Sequence, residues 1–142
     1  MAEPSSRAVE AGLKALSRRE LSRDELVAKL ERSGIDPEDA DRAISQLAAA
    51  GYQSDQRMAH ERTRVLASRL HGDLAIRDDL ERRGIAEESI DAALADIEPE
   101  LSRAAALAQR AGDVTRLART LQRKGYTQDT IEAALRMSDE RG

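Results

Sequence analysis

Leu30-Glu31-Arg32-Ser33-Gly34-Ile35 is the first of four copies of one pattern, Leu-x-x-x-Gly-(Ile/Tyr). The others run from Leu47 to Gly51-Tyr52, from Leu80 to Gly84-Ile85 and from Leu121 to Gly125-Tyr126. Glycine adopts the left-handed backbone conformation without steric cost. In a Schellman ending that glycine follows the last helical turn, and the residue after it packs back on the residue four before it. Both positions are large and apolar in every copy. Each copy therefore predicts a helix stop that aims the chain into the next helix.

Working outward, the segments between the stops read as helices. Val9, Leu13 and Leu16 share one face of a helix over 7–17. Ser22 and Glu25 have capping-box spacing, with Leu21 and Leu26 placed as a hydrophobic staple. Asp36-Pro37 reads as an N-cap followed by proline at the first helical position. Ser54 or Asp55 opens a fourth helix that reaches about Leu70, with a thin apolar side of Met58, Ala59, Val65 and Leu66. Gly72-Asp73 is read as the break before a fifth helix, Pro99 as the opening of a seventh, and Gly112-Asp113 as a further turn. Val114, Leu117, Ala118 and Leu121 line the eighth helix, and Thr127 caps a ninth. Met1–Ser6 is expected to be a frayed end and Ser138–Gly142 a disordered tail. No run reads as a strand.

The helices repeat. A shift of fifty residues lays Ser22–Ile44 on Gly72–Leu94, matching Leu30, Glu31, Arg32, Gly34 and Ile35 to Leu80, Glu81, Arg82, Gly84 and Ile85. A further shift of forty-one matches Leu80, Arg82, Gly84 and Ile90 to Leu121, Arg123, Gly125 and Ile131. With one helix leading each pair, the expected fold is all-α: three tandem three-helix repeat units, 7–51, 52–97 and 98–138, in an elongated, curved arrangement.

Composition narrows the function. The 142 residues are 40% hydrophobic and 35% charged, with two tyrosines as the only aromatics and no cysteine. The core must be aliphatic, and disulfide or thiolate chemistry is excluded. No apolar run resembles a signal peptide or a membrane span, so a cytoplasmic protein that does not engage membrane is expected. The net charge of −4 is unevenly placed. Leu101–Lys124 holds six basic residues against Asp113 alone, whereas Asp73–Glu100 holds ten acids against Arg77, Arg82 and Arg83. A bipolar surface suits docking on a protein or a local strip facing an acidic partner.

No catalytic constellation is present, and no cofactor or metal is expected. His60 and His71 are the only histidines, and His60-Glu61 lacks the second histidine of a zinc helix. Gly72 and Gly112 are single turn glycines followed by aspartate, which would repel a phosphate. Arg116, Arg119 and Arg123 lie at i, i+3, i+7 and project from one face of the eighth helix. Arginine can fork to carboxylates or phosphates, but no aromatics interleave to stack bases.

Gly125-Tyr126 with Ile131 and Ala134-Leu135 resembles the ubiquitin-associated three-helix domain; any small unit with a glycine stop would share that stretch, so it reads as convergent. A longer resemblance covers roughly Ala15 to Leu135. Arg19-Glu20-Leu21-Ser22-Arg23-Asp24-Glu25-Leu26 with Lys29-Leu30 and Gly34 is similar to the R-x-x-S-x-x-E-L-x-x-K-L opening of the RecX family, the bacterial regulators of the RecA recombinase. Leu47, Gly51-Tyr52, Asp55, Arg57 and Ala59 resemble its G-Y-L-D-D-x-R-F-A stretch. Gly72, Ile76-Arg77, Leu80 and Arg83-Gly84-Ile85 resemble its G-x-x-x-I-R-x-x-L-x-x-K-G-I stretch. Met58 stands where that family has Phe, and Leu70-His71-Gly72-Asp73 replaces its basic Gly-Tyr-Gly-Pro turn.

The resemblance implies a non-enzymatic, monomeric modulator that binds the RecA–DNA filament and lowers its recombinase, ATPase and coprotease activities. With the charge split, it singles out Arg57, Arg64, Arg69, Arg77, Arg82 and Arg83 in the middle unit, and Arg116, Arg119 and Arg123 in the third, as contacts to filament protein or DNA phosphate. A generic helical adaptor and a weak DNA-binding module are the alternatives.

Overall fold

The computed structural model describes residues 2–141. Among them are nine helices and no strand: α1 (Ser6–Leu16), α2 (Arg23–Arg32), α3 (Pro37–Ala49), α4 (Asp55–Ser68), α5 (Asp73–Arg82), α6 (Glu87–Ala95), α7 (Glu100–Arg110), α8 (Val114–Arg123) and α9 (Gln128–Glu140). The all-α repeat fold expected from the sequence is the one observed.

The starts and stops follow local chemistry. Ser22 and Glu25 form the full capping box of α2, and Asp36 caps α3 with Pro37 following it. Ser54, rather than Asp55, caps α4. Gly34, Gly51, Gly84 and Gly125 all have positive φ, between 79° and 86°. Each carries the paired Schellman bonds: Gly34 N–H donates to the Glu31 carbonyl at 2.9 Å, and Ile35 N–H to the Leu30 carbonyl at 3.1 Å.

A fifth stop of the same geometry contains no glycine. Leu70 has φ 63° and is the only described non-glycine residue in that region. Its N–H donates to the Ala67 carbonyl at 2.9 Å and the His71 N–H to the Leu66 carbonyl at 3.1 Å. The end of α4 is therefore Leu66-x-x-x-Leu70-His71, two residues before the glycine expected to make the break. A leucine in this conformation costs about 1–2 kcal/mol.

The ends are better ordered than composition suggests. Ser5 caps α1 and is anchored to Asp39, whose Oδ1 accepts the Ser5 N–H at 2.8 Å and Oδ2 its hydroxyl at 2.5 Å. Helix α9 continues through Ser138 to Glu140. Expectations for Met1 and Gly142 lie outside the described residues.

Buried apolar side chains fall into three clusters. Ala8, Leu26, Leu30, Ile35 and Ile44 centre the first, within α1–α3. Met58, Ala59, Ile76, Leu80 and Ile90 centre the second, within α4–α6. Ala104, Leu117, Leu121, Tyr126 and Ile131 centre the third, within α7–α9. Of the thin side of α4, Met58, Ala59 and Leu66 are buried together with Thr63, whereas Val65 is half-buried. The accessible surface is 8548 Å². A compact monomer of 15.6 kDa would expose about 7,300 Å², so small cores strung along the chain leave an extended molecule.

Candidate partner-binding surface

The helix stops that end α5 and α8 also join the units. At the first joint the Ser22 hydroxyl donates to the Arg83 carbonyl at 2.6 Å. At the second, the Gly72 N–H donates to the Lys124 carbonyl at 2.9 Å, and the Leu74 N–H to the Gly125 carbonyl at 2.9 Å. The repeat shifts carry Ser22 onto Gly72 and Arg83 onto Lys124, so the same corner receives the same helix start twice. At the open first corner the equivalent carbonyl, of Ser33, instead accepts Arg7 Nη2 at 2.8 Å.

The first joint is sealed by ions and amides. Arg83 reaches Glu25 at 2.9 Å and Asp79 at 2.8 Å, and Arg62 reaches the same Asp79 at 3.1 Å. Burial by itself raises the Asp79 carboxyl, but hydrogen bonds from Arg62 and Arg83 outweigh it and hold the group below the ordinary aspartate value. Arg57 clamps Glu20 at 2.5 Å and donates to the Gly51 and Tyr52 carbonyls at 3.0 and 3.1 Å. The buried Gln53 amide donates to the Leu21 carbonyl and to Asp55.

The second joint is a buried polar network that the sequence did not reveal. Glu100 and Arg103 are only 8% and 5% exposed. Glu100 accepts the Asp73 N–H at 2.6 Å and the Thr127 hydroxyl at 2.6 Å. Arg103 pairs with Asp73 and donates to the His71 and Glu98 carbonyls. Burial pushes Glu100 up, but its hydrogen bonds from Thr127, Thr130 and the Asp73 and Thr127 N–H groups bring it net below the usual value. The Tyr126 hydroxyl donates to the Leu70 carbonyl at 2.7 Å, and burial pushes that phenol up to about 12, so it stays a donor. Burial, then Lys124, Arg69 and Arg62, push His71 down, which favours the neutral imidazole. Of the six basic residues of Leu101–Lys124, Arg103 is thus withdrawn from any basic strip, buried and held by Asp73 and two carbonyls.

The nine arginines singled out from sequence divide by what they touch. Arg57 and Arg83 hold the first joint. Arg77 pairs with Asp91 at 2.7 Å and Arg82 with Asp78 at 2.9 Å. Arg64, Arg69, Arg116, Arg119 and Arg123 are exposed and make no ion pair among the described residues. On α8 the three arginines stand opposite buried Leu117 and Leu121. Like charges three and four residues apart on a helix disfavour it by a few tenths of a kcal/mol. Asp113, the N-cap of α8, accepts the Arg116 N–H at 2.8 Å, but none of the three guanidinium groups forms an ion pair among the described residues. Beside Arg64 a cleft of ≈ 510 Å³ runs between the end of α4, the Asp96–Glu98 turn and α7. Among the described residues no cluster of His, Asp or Glu could hold a metal ion, and no helix is long and apolar enough to cross a membrane.

Comparison with known proteins follows this architecture. Residues 8–47 match the RecX first three-helix domain and residues 54–94 the RecX second three-helix domain. The regulatory protein RecX of Acidithiobacillus ferrooxidans is 38% identical over 141 residues, covering 91% of this chain and 89% of the relative. That of Vibrio campbellii is 34% identical over 148 residues, covering 96% and 95%. The crystal structure of RecX from Lactobacillus salivarius superposes with a TM-score of 0.85 at 21% identity over 94% of this chain and 96% of that one, a likeness of fold. With both domains matched in order and relatives aligned along nearly their whole length, the chain belongs to the RecX family of regulatory proteins.

Proposed function

We propose that this chain is a non-enzymatic modulator that binds the RecA–DNA filament and inhibits its recombinase, ATPase and coprotease activities. The observation that carries the reading is the unpaired arginine row of α8 on an extended, jointed chain whose full-length relatives are named regulatory protein RecX. A string of small cores with two stiffened joints presents a long surface. Such a surface suits a polymer with repeating subunits better than a small substrate.

In this reading Arg64, Arg69, Arg116, Arg119 and Arg123 meet filament carboxylates or DNA phosphates. Arg57 and Arg83 act earlier, by holding the first joint so that the rows keep their relative positions. Arg77 and Arg82 join the surface only by exchanging Asp91 and Asp78 for partner groups. The protein works in the cytoplasm as a monomer, without a cofactor.

The test is direct. The chain is added to RecA assembled on single-stranded DNA while ATP hydrolysis is followed. Inhibition that rises and saturates with added protein is expected. Undiminished hydrolysis at excess protein would overturn the proposal.

A further inference from the structure

The first unit carries a cationic cleft that neither the joints nor the arginine rows account for. Lys14, Arg18 and Lys29 rim a recess of ≈ 310 Å³ between the ends of α1 and α2, floored by Ala11, Ala15 and Leu30. Ala15 and Leu30 are 5% and 1% exposed, so the floor is firm as well as apolar.

None of the three cations makes an ion pair among the described residues. Suitable carboxylates stand four residues earlier on each helix, Glu10 for Lys14 and Glu25 for Lys29. Neither is used. Glu25 is already committed, accepting the Ser22 N–H at 2.9 Å and Arg83 at 2.9 Å. Lys14 and Lys29 do lie in the last turns of their helices, where the helix dipole favours a cation. Each such end presents about half a negative charge. Two ends offset about one of the three positive charges, and the rim keeps its cations without an ion pair among the described residues.

We propose that this cleft seats an acidic amphipathic segment of a partner protein, with an aliphatic side chain on the Ala15–Leu30 floor and carboxylates on Lys14, Arg18 and Lys29. The floor decides between the anionic partners. It offers apolar surface for a branched aliphatic side chain, larger than the thymine methyl that nucleic acid can present, and no aromatic ring on which a base could stack. Two of the three cations are lysines, compact charges that accept carboxylates from varied directions. The site is separate from the arginines assigned to the filament, and it stands or falls independently of that reading.

The experiment measures fluorescence anisotropy of a labelled synthetic peptide that places leucines at helical spacing among glutamates. The intact chain is titrated into it at low salt, with a labelled oligothymidylate as second probe. Saturable peptide binding is expected. The double variant Lys14→Glu, Lys29→Glu should weaken it about tenfold or more, with Arg18→Glu as a second, independent perturbation and circular dichroism unchanged in each. Arg136→Glu, an exposed position on α9, should leave it unaltered. A peptide with serine for leucine should bind more weakly. The proposal is overturned if the glutamate–leucine peptide does not bind at low salt, or if the variants bind it as the parent does. It is also overturned if the serine peptide binds equally, or if oligothymidylate competes for the cleft and loses affinity in the same variants.

Discussion

The Ser22 hydroxyl donates to the Arg83 carbonyl at 2.6 Å although sixty-one residues separate them. The acceptor is a carbonyl of a helix end, left over when Gly84 turns the chain. The same turn lets the next unit's corner approach the preceding unit's helix start, so one local device both stops a helix and builds a joint. A Cβ on Gly84 would collide with the Asp24 carboxylate, and one on Gly125 would lie 2.7 Å from the Ala75 nitrogen.

That double role separates two glycines that look alike in sequence. Gly51→Ala and Gly125→Ala both force alanine into the left-handed region, at about 1–2 kcal/mol. A Cβ at Gly51 meets nothing within 4 Å. Gly125→Ala should therefore lose about 1–3 kcal/mol more, through overpacking against the Ala75 backbone. Thermal unfolding followed by far-ultraviolet circular dichroism compares the two; equal drops in Tm would refute the joint's tightness.

Leu70 tests the stop that has no glycine. Its side chain packs against the third core cluster while its backbone ends α4. Leu70→Ala loses that packing and keeps the strained conformation. Leu70→Gly loses the same packing but removes the strain, so it should be the more stable variant by about 1 kcal/mol. Denaturant midpoints settle the order, and an alanine variant as stable as the glycine one would show that Leu70 is unstrained.

Glu100 ties stability to pH. Its carboxyl sits below its ordinary value in the folded chain. Folding gains stability above the unfolded glutamate value of about 4.3, and that gain is lost as pH falls through the lower folded value. Glu100→Gln should cost about 1–3 kcal/mol at neutral pH. The gap between parent and variant should narrow as the pH is lowered below about 4. Denaturant titrations at neutral and acid pH measure it; a gap independent of pH would mean that the charge on Glu100 is immaterial.

The α8 arginines should matter to the partner and not to the fold. Arg116→Glu and Arg119→Glu should each weaken inhibition of filament ATP hydrolysis, with stability changed by less than about 0.5 kcal/mol. Where the contact is to a phosphate of the single-stranded DNA, losing one arginine should flatten the salt dependence of binding by about 0.7 in log–log slope. Inhibition equal to that of the parent would remove this row from the interface.

Much of the fold was legible because its signals are local. Ser22 with Glu25, Asp36 with Pro37 and the four glycine stops each act within one turn of helix, so residue type and spacing suffice. The stop at Leu70 was hidden because leucine carries no conformational signal of its own; tertiary packing holds it there. The apolar side of α4 was underrated because Thr63, buried among Met58, Ala59 and Leu66, counts as polar by type. The arginine rows were half legible. Helical spacing shows which face Arg116, Arg119 and Arg123 occupy, but not whether a carboxylate from elsewhere in the chain has already claimed an arginine. Arg57, Arg77 and Arg83 are claimed in that way by Glu20, Asp91 and Glu25.

The amino-acid order by itself determined the nine helices of the described residues, their four glycine stops and their repetition, since capping, left-handed glycine and apolar spacing are properties of neighbouring residues. Only the tertiary structure decided what the joints are made of and which cations remain available. The contacts of Glu100 with Thr127, of Arg83 with Glu25 and of Gly72 with Lys124 span between 27 and 58 residues. Nothing local selects such partners, because they meet only after the cores have closed and brought distant helix ends within hydrogen-bond reach.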